Sequence, residues 1–385
     1  MKKIYFDNAA STMVRTKAVD AMHRVMRDNY GNPSSMHSYG RNASKELEDA
    51  RLHVADALSA KPENICFTSG GTEANNLAIS GSADFLMSKS SIARSGGHII
   101  TSSSEHSAVL DPIKKLEKKG WDVTYLSPDS SGRISVEAFN DALRDDTLFA
   151  SIMLVNNETG AVNPVGDFSK EIKLRGLDTL LHTDAVQGLC KIPFTVKSLG
   201  ADLVTVSSHK IHGPKGAGTL YTKGSVKLAP LVLGGSQEQG IRGGTEGLPA
   251  AAGFGVAAQL GMQELEDISL HVRGIREYMI ELLCAEIPDV VFIGEGDSPF
   301  ILCISLPGFM SETLMTFLDE RGISVSRSAA CKKGARSRTL EAMRLTNDVI
   351  DGSLRLSFSR YNTKNEAEYF VRSLKEASER LYKKL

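Results

Sequence analysis

Leu203-Val204-Thr205-Val206-Ser207-Ser208-His209-Lys210, followed at once by Ile211-His212-Gly213-Pro214-Lys215-Gly216, is the stretch from which the fold can be read. A β-branched run of this kind predicts a buried strand, and it breaks off in two serines, a histidine and a lysine. The Gly-Pro turn behind the lysine leaves it at the lip of the strand. There, partial burial would lower its pKa and make the amine a nucleophile able to form an imine with an aldehyde cofactor. By itself the stretch reads first as a surface lysine opening a loop; the rest of the chain reverses that order.

Three further strand-like runs are His98-Ile99-Ile100-Thr101-Ser102, Phe149-Ala150-Ser151-Ile152-Met153-Leu154-Val155 and Thr179-Leu180-Leu181-His182-Thr183. Between them, 108–119 and 168–175 carry apolar residues at three- and four-residue intervals, the helical spacing. Alternating strands and helices predict an α/β fold, a mostly parallel central sheet with helices on both faces. Ligands of such sheets collect outside the carboxyl ends of the strands. The residues at those exits are Glu105-His106, Asn156-Asn157-Glu158, Asp184-Ala185-Val186-Gln187 and Ser207 to Lys210. One polar exit is ordinary; four in succession describe a single lined site.

After Gly261 the texture changes. A long amphipathic helix is expected over 263–287, strands over 300–306, 323–326 and 354–358, and helices over 311–321 and 364–385. This predicts a large domain, 15–260, and a smaller α+β domain formed by 261–385 with 1–14 packing back on it. Residues 88–97 are expected to form an exposed loop.

Composition narrows the function. With 385 residues, 41% hydrophobic and 24% charged, the chain has the make-up of a soluble globular protein of two domains. A formal net charge of −1 gives no electrostatic case for nucleic acid or an anionic membrane as partner. The apolar stretch 249–260 is too short to span a bilayer. Met1-Lys2-Lys3-Ile4-Tyr5-Phe6-Asp7 lacks the apolar core of a signal peptide. Five cysteines, 66, 190, 284, 303 and 331, show no CxxC spacing, which suits a reducing, cytoplasmic setting.

Two constellations carry chemistry. Thr68-Ser69-Gly70-Gly71-Thr72-Glu73 lies between a strand, Ile65-Cys66-Phe67, and a helix starting near Glu73. Its glycines allow close approach of an anion and the helix start supplies amide donors, so it reads as a phosphate cup, or equally as a plain turn capped by Thr72. Asp184 and Lys210 leave successive strands and point into one crevice. An imine-forming lysine with a carboxylate that keeps a pyridinium nitrogen protonated is what pyridoxal 5'-phosphate requires. A helix cap is the plainer role for Asp184, and a surface helix start the plainer role for His106, which otherwise could stack on a flat ring.

With these residues the chain resembles the cysteine desulfurases of the nitrogen-fixation and iron–sulfur-assembly type, within the class V aminotransferases. The matching stretches include Tyr5–Thr12, Gly31-Asn32-Pro33-Ser34-Ser35 with His37, Phe67–Asn76, His98–Leu110, Asn156–Gly160, His182–Gln187, Ser207–Gly218, Gly234–Thr245 and Leu354–Arg360, in order along nearly the whole chain. The resemblance implies the type I, aspartate-aminotransferase-like fold of pyridoxal-phosphate transferases. It implies Lys210 as the imine lysine, Asp184 as partner of the ring nitrogen, His106 as the stacking residue, and Asn157 and Gln187 at the ring hydroxyl. Gly71, Thr72, Ser207 and His209 would hold the phosphate, and Thr245 would reach the phosphate of a partner subunit in a homodimer. Arg355 would clamp the substrate carboxylate, a task suited to a bidentate guanidinium, with Asn32 assisting.

The catalytic cysteine implied by the resemblance is Cys331. Cys66, Cys190, Cys284 and Cys303 sit in apolar strand or helix sequence and are expected to be structural. Cys331 lies in a polar loop before Lys332, Lys333 and Arg336, whose charges favour the thiolate. The family usually surrounds this cysteine with small residues, whereas here the run is Ser326-Arg327-Ser328-Ala329-Ala330-Cys331-Lys332-Lys333-Gly334. The implied reaction converts L-cysteine to L-alanine, leaves a persulfide on Cys331, and passes sulfur to an acceptor protein, an iron–sulfur scaffold or a tRNA-thiolation enzyme. Selenocysteine lyase or another class V activity would use the same site; a non-enzymatic phosphate- or nucleotide-binding module is the distant alternative.

Overall fold

The first strand of the chain, β1 (Ile4–Tyr5), does not join the central sheet. The computed structural model, which describes residues 3–94, 96–328 and 336–383, builds that sheet from seven later strands. They are β2 (Ile65–Thr68), β3 (His98–Ser102), β4 (Asp122–Leu126), β5 (Thr147–Ser151), β6 (Leu180–Asp184), β7 (Leu203–Ser207) and β8 (Gly218–Thr222). Their order is β2-β8-β7-β6-β5-β3-β4, and only β8 runs against its neighbours. The mostly parallel sheet expected from the sequence is therefore present. β2, β3, β5, β6 and β7 all deliver their carboxyl ends to one edge.

Burial on both faces explains why these strands are apolar without alternation. Ile100, Ala150, Leu181 and Val204 join one hydrophobic cluster with the helices Ser38–Leu58 and Leu248–Gln263. Ile99, Phe149 and Leu203, one residue earlier on three of the same strands, join a cluster on the other face with the helix Ser107–Glu117. Polar atoms inside the sheet are matched across strands. His182 bridges Ser151 Oγ at 2.8 Å and Thr205 Oγ1 at 3.1 Å, tying β5, β6 and β7 together, and burial pushes its pKa down to about 3.

A second sheet holds β9 (Val291–Ile293), β10 (Ile301–Ser305) and β12 (Ser353–Ser357) in the order β12-β10-β9, all antiparallel. β1 pairs in parallel with β11 (Ile323–Ser324). Phe6, fully buried, sets its edge against Phe358 and Phe370 at 5.5 and 6.0 Å, within a cluster that also contains Val272, Leu302 and Leu354. The N-terminal segment thus packs on elements that follow residue 261. The boundary expected at 260/261 lies inside the helix Leu248–Gln263, which is followed after Glu264 by the helix Leu265–Glu286.

Several expectations need adjusting. The strand expected over 149–155 ends at Ser151, although Ile152 and Leu154 N–H still donate to His182 O and Asp184 O. In place of the loop expected over 88–97, Ser91–Arg94 form a helical turn that buries Ala93. The last helix ends at Arg380. Cys284 is exposed, not structural: Val272, Ile275, Met279 and Leu283 form the buried stripe of its helix, and one further residue rotates the side chain off that stripe. Among the described residues no helix is long and apolar enough to cross a membrane.

Candidate active site

Every strand exit singled out in the sequence contributes to one cavity of about 960 Å³. His106 comes from the end of β3, Asn157 from beyond β5, Asp184 and Gln187 from β6, and Ser207, His209 and Lys210 from β7. Gly71 and Thr72 enter from the end of β2, and Arg355 from β12. The convergence follows from strand direction, because parallel strands end on one edge.

Lys210 closes a short 3₁₀ turn, Ser208–Lys210, and its Nζ donates to Ala9 O at 2.6 Å and Ala10 O at 2.7 Å. Burial, with repulsion from Arg355, pushes its pKa down to about 8 against the opposing pull of Asp7 and Asp184. Asp184 is 7% exposed; its carboxylate accepts from Asn75 Nδ2 at 2.7 Å and from the Val186 N–H at 3.0 Å. No helix follows it, so the cap reading falls away. His106 caps the helix Ser107–Glu117, its Nδ1 accepting from the Ala108 N–H at 3.1 Å, and burial lowers its pKa. An Nδ1 that accepts places the proton of the neutral ring on Nε2.

The phosphate-cup reading gains from three details. Gly70 and not Thr72 precedes the helix Gly71–Asn76, so the Thr72 side chain is not spent as a cap. A Cβ on Gly71 would meet Val186 Cγ2 at 3.0 Å and Ser207 Cβ at 3.6 Å, so only glycine keeps this corner open. Ser207 Oγ, buried beside it, makes no hydrogen bond among the described residues. A buried hydroxyl without a partner is costly unless a ligand completes it. Behind the corner, Glu73 accepts from the Ser69 N–H at 2.8 Å and pairs with Arg242 at 2.9 Å, tying the loop of residues 234–244 to this helix.

Arg355 is 4% exposed. Its Nη2 donates to Asp7 Oδ1 at 2.9 Å and its Nη1 to Asn157 O at 3.0 Å, while Nε is buried without a partner among the described residues. Arg327 and Glu312, ion-paired with each other, and Met315 form part of the wall.

Some residues singled out from the sequence lie elsewhere. Asn32 is exposed in the turn before the helix Ser38–Leu58; its Oδ1 folds back onto the Ser34 N–H at 2.9 Å, and it is not brought to the cavity. Thr245 is exposed and outside this cavity. Cys331 lies outside the described residues. Arg336, expected to act on it, is held by Asp351 at 2.7 and 3.0 Å. Glu105 and Glu158, polar exits too, turn inward. Burial and Asp184 push Glu105 up to about 8 while Ser102 and the Met153 N–H bind it; Glu158 accepts from Ser337 and Thr339. Sequence reasoning missed Asn75, although its place one turn after Gly71 puts both on one helix face.

The class V aminotransferase family model matches residues 4–370. The chain belongs to the class V aminotransferases. Members of this family depend on pyridoxal phosphate. A cysteine desulfurase IscS of Dictyoglomus turgidum is 38% identical over 99% of the chain and 95% of its own length. A putative cysteine desulfurase IscS 1 of Bacillus subtilis is also 38% identical, over 99% of this class V chain and the whole of its own length. Among solved structures, a NifS-like protein superposes with a TM-score of 0.92 at 34% identity, covering 99% of this chain and 100% of its own. SspA in complex with cysteine superposes with a TM-score of 0.80 at 34% identity, covering 94% and 100%.

Proposed function

We propose that this class V protein is a pyridoxal-phosphate-dependent cysteine desulfurase that converts L-cysteine to L-alanine and carries the sulfur as a persulfide on Cys331. One observation carries the reading. Lys210 with its lowered pKa, the Asp184 carboxylate, the Ser207 hydroxyl, which has no partner among the described residues, and the buried Arg355 guanidinium meet in a single cavity.

The residues present fit the cofactor. Gly71, Thr72, Ser207 and His209 would hold its phosphate, Asp184 its ring nitrogen, Asn157 and Gln187 its ring oxygen, and Lys210 its aldehyde carbon, with His106 against the ring. When bound, pyridoxal phosphate supplies an electron sink for the α-carbon of an amino acid. Asp184, fixed by Asn75, keeps a proton on the ring nitrogen by opposite charge. Lys210, half neutral near pH 8, removes the α-proton as a general base. Arg355 fixes the substrate carboxylate and so aims the Cα–H bond at Lys210.

Cys331 is the thiol proposed for sulfur transfer. Burial pushes Cys66, Cys190 and Cys303 up to about 12, and Cys284 lies off the cavity. In the transfer an S–S bond forms between Cys331 and the substrate sulfur while the Cβ–S bond breaks. The carbon keeps the electron pair and takes a proton, leaving alanine. The chain is proposed to work as a homodimer in which Thr245, exposed on this protomer, would reach the other protomer's phosphate. It is further proposed to divide into units 15–260 and 1–14 with 261–385, and to hand its sulfur to an iron–sulfur scaffold or a tRNA-thiolation protein in the cytoplasm.

Alanine and sulfide release from L-cysteine with reductant tests the reading, with selenocysteine and amino-donor substrates in competition. Purified protein should be yellow and lose its visible band on borohydride reduction, and Cys331→Ala should abolish sulfide release. Unchanged turnover in that variant removes the persulfide role; a colourless protein removes the enzyme.

A further inference from the structure

Lys191 is a buried lysine without a counter-ion among the described residues. It is 6% exposed, and among the described residues its Nζ donates only to Gln187 Oε1, at 2.7 Å. Burial, with repulsion from Lys210 and Arg355, pushes its pKa down to about 7. Arg15, His209 and His212 are the other charged and titratable groups around it. An uncompensated buried cation costs stability, so packing alone does not account for a lysine here.

The contact fixes Gln187 without ambiguity. A backbone carbonyl only accepts, and the Lys191 nitrogen donates whether amine or ammonium. Oε1 must therefore face Lys191, and Nε2 must face Ala9 O at 2.9 Å. Gln187 also borders the cavity, and the second N–H of its Nε2 has no acceptor among the described residues. Ala9 O accepts from Lys210 Nζ as well, which makes Lys191, Gln187, Ala9 and Lys210 one hydrogen-bonded line. A space of about 20 Å³ touches both lysines, room for one water.

We propose that Lys191 is a positioning residue: by pinning Gln187 Oε1 it turns the amide N–H of Gln187 into the cavity, where that N–H donates to the cofactor's ring oxygen and favours its ionised form. This rests on the reading of the cavity as a pyridoxal phosphate site. The directed donor, and the positive charge that Lys191 carries on the acid side of its pKa near 7, act with the same sign. Both favour loss of the proton shared between the ring oxygen and the Lys210 nitrogen, so removing Lys191 delays that loss to higher pH.

The test is a pH titration of the visible band of the purified holoprotein, in wild type, Lys191→Met and Lys191→Arg, each beside its urea unfolding midpoint. Lys191→Met fills a similar volume with neither donor nor charge, and its band should titrate about one pH unit higher; Lys191→Arg should restore the wild-type value. An unmoved band in Lys191→Met overturns the proposal, and a lowered unfolding midpoint alongside it marks a merely structural lysine. If Lys191→Met does not fold, Lys191→Leu, which likewise has neither donor nor charge, takes its place, and an unshifted band there overturns the proposal equally. A wild-type protein with no visible band removes the functional reading itself, an outcome distinct from a band that is present and unmoved.

Discussion

At the scale of single residues, environment and not identity makes Lys210 reactive. Only the neutral amine attacks an aldehyde, and a lysine of pKa 10.5 is about 0.3% neutral at pH 8. Burial and Arg355 bring Lys210 down to about 8, where about half of it is neutral. The sign is that of a depressed base: reactivity is low below pH 7, rises through pH 8 and is full above pH 9. The rate at which cofactor-free protein captures pyridoxal phosphate, trapped by borohydride, should follow that curve; a midpoint near 10 would show an ordinary lysine. Arg355 offers a second residue-scale expectation. Lysine at this position cannot bind Asp7 and Asn157 O while gripping a carboxylate through a flat fork, so Arg355→Lys should lower kcat/KM for cysteine by roughly ten- to a hundredfold, mainly through KM. An unchanged KM would assign Arg355 to structure. Lys210, Asp184 and Arg355 are legible in the sequence because their types declare their chemistry. Glu105 and Glu158 are as polar and as well placed in sequence, yet both face inward. No pattern separates them, because which side of a strand exit a side chain takes is decided by the packing it meets.

Elements are legible where burial imposes a repeat. β3, β6 and β7 can be read from the sequence to within a residue because both their faces are covered and their sequence is correspondingly apolar. β4, at the sheet edge, alternates Asp122 and Thr124 with apolar residues, β8, the single reversed strand, has only Leu220 and Tyr221 between its threonines, and both escape that reading, as does the three-residue β9. The turn after β2 is legible through its glycines, and Gly71 is where the element's geometry can be tested. Its backbone needs no left-handed conformation, so Gly71→Ala should fold with little change in unfolding midpoint. The added methyl would occupy the space beside Ser207 and Val186, and cofactor affinity, measured by equilibrium dialysis, should fall about tenfold or more. Unchanged affinity would move the phosphate elsewhere in the cavity.

At the scale of the whole molecule, the N-terminal segment joins stability to chemistry. β1 adds to β11, Phe6 fills the core behind β12, Asp7 holds Arg355, and the carbonyls of Ala9 and Ala10 hold Lys210. Four consecutive functions are thus carried by residues 4–10, and their order in sequence is their order in space, from core to cavity. The sequence indicates that this segment folds back, but not that it supplies acceptors for Lys210, since backbone carbonyls leave no trace in side-chain pattern. If packing at Phe6 sets the position of those carbonyls, damage in the core should be felt at the amine. Phe6→Ala removes a fully buried ring with two aromatic neighbours and should destabilise the protein by about 3–5 kcal/mol in urea unfolding. In the fraction that remains folded, loosened acceptors would stabilise the ammonium less. The midpoint of imine trapping should then move below the wild-type value near 8, because a cation that loses two carbonyl partners in a buried site gives up its proton more easily. A destabilised variant whose trapping curve still centres near 8 would show that Ser357, Gln187 and Lys210 hold Ala9 and Ala10 without help from Phe6, and that core and site are joined in sequence but not in energy.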